Sequence, residues 1–111
     1  MIDQKLEQEV HLLHKRVCYA LADPNRVLLL YALSEGPLCV SELVEALDVS
    51  QPTVSRHLRV LRDRGLVNPE RKGTAIYYNL TDRRLIEALD LLRGVLSAQM
   101  AANADLVQSL S

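Results

Sequence analysis

Apolar residues recur at helical spacing in five stretches of this chain and alternate in one, so the pattern predicts a mainly α protein with one β-hairpin. From Asp3 to about Leu21, the residues Leu6, Val10, Leu13, Val17 and Leu21 fall on one stripe of a first helix. Asp23-Pro24 breaks it and opens a second helix, with Asp23 as N-cap and Pro24 at the first position, where no backbone N–H is needed. That helix carries Val27, Leu28, Leu30, Tyr31 and Leu33 and stops at Ser34-Glu35-Gly36-Pro37. Val40, Leu43, Val44 and Leu47 share one face of a short third helix. After Asp48-Val49-Ser50 a fourth begins, with Ser50 as N-cap, Pro52 in the first turn, and Val54, Leu58 and Leu61 as a narrow apolar stripe. Gly65 sits where a helix commonly ends in the left-handed conformation. Leu66–Glu70 and Ala75–Leu80 then flank Arg71-Lys72-Gly73-Thr74. In the second of these, Ile76, Tyr78 and Leu80 alternate with Ala75, Tyr77 and Asn79, as in a half-buried strand. Thr81 is the expected cap of a last helix running to about Gln108, with Leu85, Leu89, Leu92, Leu96 and Met100 in line. Gly94 lies inside it, either at a cost of about 1 kcal/mol relative to Ala or as a point of close helix approach.

Two helices joined by a tight turn, the second with polar residues facing outward, form a helix-turn-helix, and a hairpin directly after it is a wing. Winding the fourth helix puts Pro52, Ser55, Arg56 and Arg59 opposite its apolar stripe. Arg bonds guanine edges or phosphates, and Ser or Gln bonds bases or backbone, so this face suits a DNA groove. His57 lies toward the core side, where packing or a phosphate contact is expected. Charge sharpens the picture. The whole chain carries 13 Lys+Arg against 14 Asp+Glu and is uninformative. Residues 50–74, however, hold six basic residues (Arg56, Arg59, Arg62, Arg64, Arg71, Lys72) against Asp63 and Glu70, a net of +4, whereas residues 1–49 carry −4.

With 111 residues, 49% of them hydrophobic, the chain is expected to form a single domain over 1–111. A polar N-terminus without a secretory signal, no membrane-length apolar run and two cysteines predict a cytoplasmic protein with free thiols. Aromatics are four tyrosines only, which favours duplex over stacked single strands. No G-x-S-x-G, H-E-x-x-H or Gly-rich phosphate loop is present, so an enzyme is not expected. The first and last helices exceed what a winged helix-turn-helix needs. Their stripes, Leu6, Val10 and Leu13 with Leu85, Leu89, Leu92 and Leu96, are expected to join two copies and space two recognition helices about 34 Å apart.

Three segments in order, A-L-A-D-P-x-R, S-Q-x-x-V-S-x-H-L-x-x-L and G-x-x-x-Y-Y-x-L, closely resemble the ArsR/SmtB family of dimeric bacterial winged-helix repressors over roughly residues 5–100. The resemblance implies a dimer that blocks a promoter and leaves when an inducer binds, often a metal or metalloid, in some members a reactive sulfur species or oxidant. It adds Gln51 and Thr53 to Ser55, Arg56 and Arg59 on the recognition helix, beside Ser50 and Pro52, and places Arg71, Lys72 and Gly73 on the wing tip. Relatives that hold metal on the last helix use Asp and His; here residues 82–108 contain no His. Others use a cysteine pair in E-L-C-V-C-D-L, where this chain keeps Cys39 but has Ser41 in the second position. Cys18 can supply the missing thiol. His11, His14 and Cys18, spaced i, i+3, i+7, with Cys39 as a fourth ligand from the same or the partner chain, are a candidate site for a thiophilic metal or metalloid. A disulfide or persulfide switch between Cys18 and Cys39 is the redox counterpart, and buried structural cysteines the plain alternative. No cofactor is required for DNA binding, and a DNA-binding regulator with no thiol or metal inducer competes with the sensor.

Overall fold

The computed structural model describes residues 1–110, the side chain of Val107 excepted. The helices are α1 (Gln4–Leu13), α2 (Tyr19–Leu21), α3 (Pro24–Leu33), α4 (Val40–Leu47), α5 (Gln51–Asp63) and α6 (Arg84–Leu110). The strands are β1 (Leu38–Cys39), β2 (Val67–Lys72) and β3 (Ala75–Leu80), in one antiparallel sheet ordered β1-β3-β2. This is a winged helix-turn-helix, with a long helix appended at each end.

The first helix is continuous but not uniformly α. Between α1 and α2, His14–Cys18 is a π-helical turn in which the Tyr19 N–H bonds the His14 carbonyl. A π turn inserts one residue, so His11, His14 and Cys18 do not keep the α-helical register their spacing implies. At this turn the Lys15 carbonyl also accepts a bond from Arg64 Nη1 at 3.3 Å.

Asp23 caps α3 as expected, accepting from the Asn25 N–H at 2.8 Å. Its inward row differs from expectation by one residue: Leu29, Leu30 and Leu33 are buried, whereas Leu28 is 53% exposed. Three consecutive leucines make the helical phase ambiguous, and packing against Leu43, Leu58 and Leu61 decides it. In the helix-turn-helix, Asp48 takes the left-handed conformation (φ 54°) and its N–H bonds the Val44 carbonyl at 2.9 Å. An Asp tolerates that geometry better than most residues.

The recognition helix α5 buries Val54, Leu58 and Leu61, as its stripe predicts. It ends in a Schellman motif: Gly65 (φ +80°) donates to the Arg62 carbonyl and Leu66 to the Leu61 carbonyl, at 3.0 and 2.9 Å. Of two expected caps, Ser50 stands at the N-cap of α5 as expected, and Thr81 is corrected. Ser50 has N-cap geometry, yet its hydroxyl donates to Thr53 Oγ1 at 2.9 Å rather than accepting from the helix backbone. Thr81 donates to the Gly65 carbonyl instead of capping α6; Asp82 accepts from the Arg84 N–H at 2.9 Å. The Arg84 guanidinium and backbone hold the Asp82 carboxyl down to about 2, so this cap stays charged at any physiological pH.

Val67–Lys72 and Ala75–Leu80 pair in full register, Val67 with Leu80 through Lys72 with Ala75. The turn is Gly73-Thr74, with Gly73 at φ +65°, the positive φ that two-residue hairpins favour. Arg71 and Lys72 therefore lie at the end of β2, beside the tip rather than in it. Pro69 is tolerated because β2 is an edge strand. Tyr78 and Leu80 pack on the core, but Ile76, nearest the tip, has outrun it and is exposed. Strand β1 was not expected from the pattern. Its two residues pair Leu38 with Tyr78 and Cys39 with Tyr77, tying the wing to the start of α4.

Helix α6 is pinned to α3 by Tyr31 Oη donating to Asp90 at 2.6 Å, with Arg93 3.3 Å from the same carboxylate, and by Arg83 donating to the Ser34 carbonyl at 2.7 Å. Leu89 is buried and Leu85 packs against the core. Leu89 belongs to the protomer's own interior, which corrects its assignment to the dimer face, whereas Leu85 is half-buried. Beyond them Leu91, Leu92, Val95, Leu96, Met100, Leu106 and Leu110 are all exposed, as are Leu6, Val10 and Leu13 on α1. The radius of gyration is 17.5 Å, against about 13 Å for a compact domain near this length. The protruding terminal helices account for the excess.

Candidate nucleic-acid interface

The outward face of α5 is built by fixing the opposite face. Arg26, the last residue of the A-L-A-D-P-x-R segment, donates from Nε to the Ala20 carbonyl at 2.7 Å and from Nη2 to the Tyr19 carbonyl at 3.2 Å. It thereby bonds carbonyls at the end of α2, the Tyr19 carbonyl also accepting from the Ala22 N–H at 3.2 Å. Its Nη1 lies 3.4 Å from His57 Nδ1, while His57 Nε2 is 3.9 Å from Asp23 Oδ1. The half-buried His57 is thus lodged between an Asp and an Arg of the second-helix entry, on the core side as expected. Arg26 and Asp23 stand in the sequence motif, but their positioning role was not expected from it; His57 facing back along α5 was the available signal.

With that side locked, Gln51, Pro52, Ser55, Arg56, Arg59 and Arg62 are exposed. Thr53 is half-buried and links Ser50 to Arg56, whose Nη2 donates to it at 3.3 Å. Among the described residues Arg56, Arg59, Arg62, Arg71 and Lys72 form no ion pair. Lys72 sits 5.9 Å over the Tyr77 ring, a contact that supports the wing without neutralising the charge. Arg64 departs from the expected basic face. Its guanidinium stacks on Tyr19 at 4.4 Å and bonds the Lys15 carbonyl, so it joins α5 to the first helix.

The thiols fall elsewhere. Cys18 is exposed at the end of the π turn, and Cys39 is half-buried as the N-cap of α4. The Cys39 N–H donates to Glu42 Oε1 at 3.1 Å, and this backbone bond lowers the Glu42 carboxyl below its ordinary range. Cys39 Sγ lies 3.2 Å from Ser41 Oγ, so the residue in the second cysteine's position is within hydrogen-bond reach of the thiol. Among the described residues no three His, Cys, Asp or Glu side chains converge as a ligand set. One chain therefore does not assemble His11, His14, Cys18 and Cys39 around a single ion. His11 instead lies 4.0 Å from Glu7 on its own helix.

No helix among the described residues is long and apolar enough to cross a membrane. A family model for bacterial regulatory proteins of the arsR family matches residues 23–69, the span from the Asp23 cap to the start of the wing. The chain is 46% identical over 71 residues to the HTH-type transcriptional regulator NmtR of Mycobacterium tuberculosis, covering 64% of this chain and 59% of that protein. It is 42% identical over 89 residues to the biofilm growth-associated repressor of Agrobacterium fabrum, covering 78% and 73%. It spans about half the length of several other curated relatives it matches. The solution structure of the homodimeric winged helix-turn-helix DNA-binding domain of Mb0332 from Mycobacterium bovis superposes with a TM-score of 0.75 at 25% identity, covering 89% of this chain and 91% of that one. Sequence, fold and the order of the elements agree, and the chain belongs to the ArsR family of bacterial transcriptional regulators.

Proposed function

We propose that the chain, acting as one DNA-binding domain over residues 1–111, is a homodimeric repressor that grips double-stranded operator DNA with α5 and the wing. The carrying observation is a row of cations unpaired among the described residues, Arg56 and Arg59 on a helix whose other side is fixed in the core, and Arg71 and Lys72 on the hairpin that follows it. Ser50, Gln51, Pro52, Thr53 and Ser55 line the N-terminal half of that helix, the part that enters the major groove in helix-turn-helix proteins. Gly73 lets the wing tip turn tightly against the backbone. The exposed apolar residues of α1 and α6 support the dimer, as does the homodimeric state of the Mb0332 domain.

The test uses a duplex selected from a random pool by the wild-type protein, and a scrambled duplex. Arg56→Ala or Arg59→Ala is expected to weaken the selected duplex by about 1–3 kcal/mol where the side chain reads a base. Arg71→Ala and Lys72→Ala are expected to weaken both duplexes alike and to flatten the salt dependence by about 0.9 per phosphate no longer neutralised. Unchanged affinity in both sets moves the DNA face elsewhere.

Inducer chemistry, in this reading, passes through Cys18 and Cys39, with a metal, metalloid or oxidant acting on thiols at the first helix and at the entry to α4. Cys39 supports it by position: a bond formed there acts on the N-cap of α4, the helix that precedes α5, and on the strand paired with the wing. A differential affinity of about 2.7 kcal/mol suffices for a hundredfold change in operator binding. Cys18→Ser and Cys39→Ser are each expected to keep DNA binding and to lose release by arsenite, cadmium, zinc or diamide. A double variant that responds as the wild type does takes the thiols out of the switch and places the sensor elsewhere; a wild type that none of these agents releases leaves the second reading, a regulator with no thiol-based or metal inducer. That reading is favoured by the absence of an assembled ligand set within one chain, among the described residues.

A further inference from the structure

Row Ser55, Arg59, Arg62 follows i, i+4, i+7 spacing, so these residues form one edge of α5, running from the proposed base-reading end toward its C-terminus. That edge leads into a polar pocket of about 420 Å³ between α5 and the π turn of the first helix. Lys15, Arg16, Arg62 and Arg64 converge on it, with Asp63 as the one carboxylate among the lining residues. Arg64 is held by the Lys15 carbonyl and the Tyr19 ring, which fixes the wall of the pocket. None of the four cations takes part in an ion pair among the described residues. Four like charges gathered beside a single carboxylate repel one another, and an anion bound there relieves that repulsion. The rest of the first helix is not built this way: Lys5 and His11 each have a glutamate at i±4.

We infer that this pocket receives DNA backbone phosphate, extending the footprint beyond α5 and the wing to Lys15 and Arg16 of the first helix. The inference rests on the DNA-binding reading above. Continuity with the Ser55–Arg59–Arg62 edge selects duplex DNA over a free anion, because a duplex lying along that edge continues toward the pocket. Phosphate contacts carry no sequence information, so Lys15 and Arg16 contribute affinity and register rather than base choice.

The test measures binding of the selected and scrambled duplexes across a salt series with Lys15→Ala/Arg16→Ala. Both side chains are exposed and make no hydrogen bond or ion pair among the described residues, so the variant is expected to fold as the wild type. Both duplexes are expected to weaken by the same factor, with the log K–log[salt] slope reduced by about 0.9 for each phosphate left unneutralised. Sedimentation of the variant is expected to match the wild type. An unchanged slope overturns the inference; with Arg59→Ala still impaired the DNA-binding reading stands, and with Arg59→Ala also unimpaired both fail. A weakened dimer with an unchanged slope assigns the pocket to the partner copy and likewise overturns it. So does saturable binding of inorganic phosphate, abolished in the variant while the DNA slope is kept, which makes the pocket a small-anion site.

Discussion

Leu92→Glu and Leu96→Glu are expected to yield a folded protomer that no longer dimerises and no longer holds operator DNA. Both leucines are more than half exposed on α6, so a carboxylate there disturbs no core contact within the chain. In the proposed dimer the same positions are desolvated, and an unpaired carboxylate costs several kcal/mol. Losing one half of a two-site contact removes about 10²-fold or more from the affinity for a palindromic duplex. Sedimentation and circular dichroism on one sample check this, with helical content kept and mass halved. Leu89→Glu gives the contrast, because Leu89 is buried within the protomer and its replacement is expected to unfold the chain. A Leu96→Glu protein that remains a dimer places the interface elsewhere.

Leu58→Ala is expected to remove about 2–5 kcal/mol of stability, a large share of the roughly 5–15 kcal/mol typical of a domain. Leu58 is 1% exposed and belongs to the cluster that α3, α4, α5 and the start of the wing form with Ala20 of α2 and Leu89 of α6. The cavity left beneath α5 also loosens the one face that aims the arginines outward. Urea unfolding should show a lower midpoint at an unchanged m-value. A loss below about 1 kcal/mol contradicts this account of how the recognition helix is seated.

The helix-turn-helix and wing were legible because each depends on local rules. A three-residue apolar stripe, a glycine at the helix end and an alternating strand each specify one geometry, and Val54, Leu58, Leu61, Gly65, Tyr78 and Leu80 occupy it. What was missed depends on contacts across the fold. Leu28 and Leu29 exchange places because three adjacent leucines leave the helical phase to tertiary packing. Thr81 serves Gly65, and Asp82 caps α6, since two capping residues in sequence do not say which one the preceding loop takes. Leu85 and Leu89 share a helical line with Leu92 and Leu96, but only the first pair lies over the core, a boundary set by where α6 leaves the domain. Arg64 reads as another base on a basic helix until its partner Tyr19, 45 positions earlier, is placed beneath it. On the proposed DNA face, Arg56, Arg59, Arg71 and Lys72 are exposed and form no ion pair among the described residues, and a groove-facing cation needs no partner within the chain.

In the proposed dimer, two copies present α5 and the wing to successive turns of one duplex. A hydroxyl-radical footprint of the wild-type protein on its selected duplex tests it most directly, with Arg59→Ala run alongside. Two protected clusters are expected on one face of the DNA, centred about one helical turn apart, roughly 34 Å, both fading with Arg59→Ala. A single cluster, or two clusters that persist undiminished without Arg59, contradicts it.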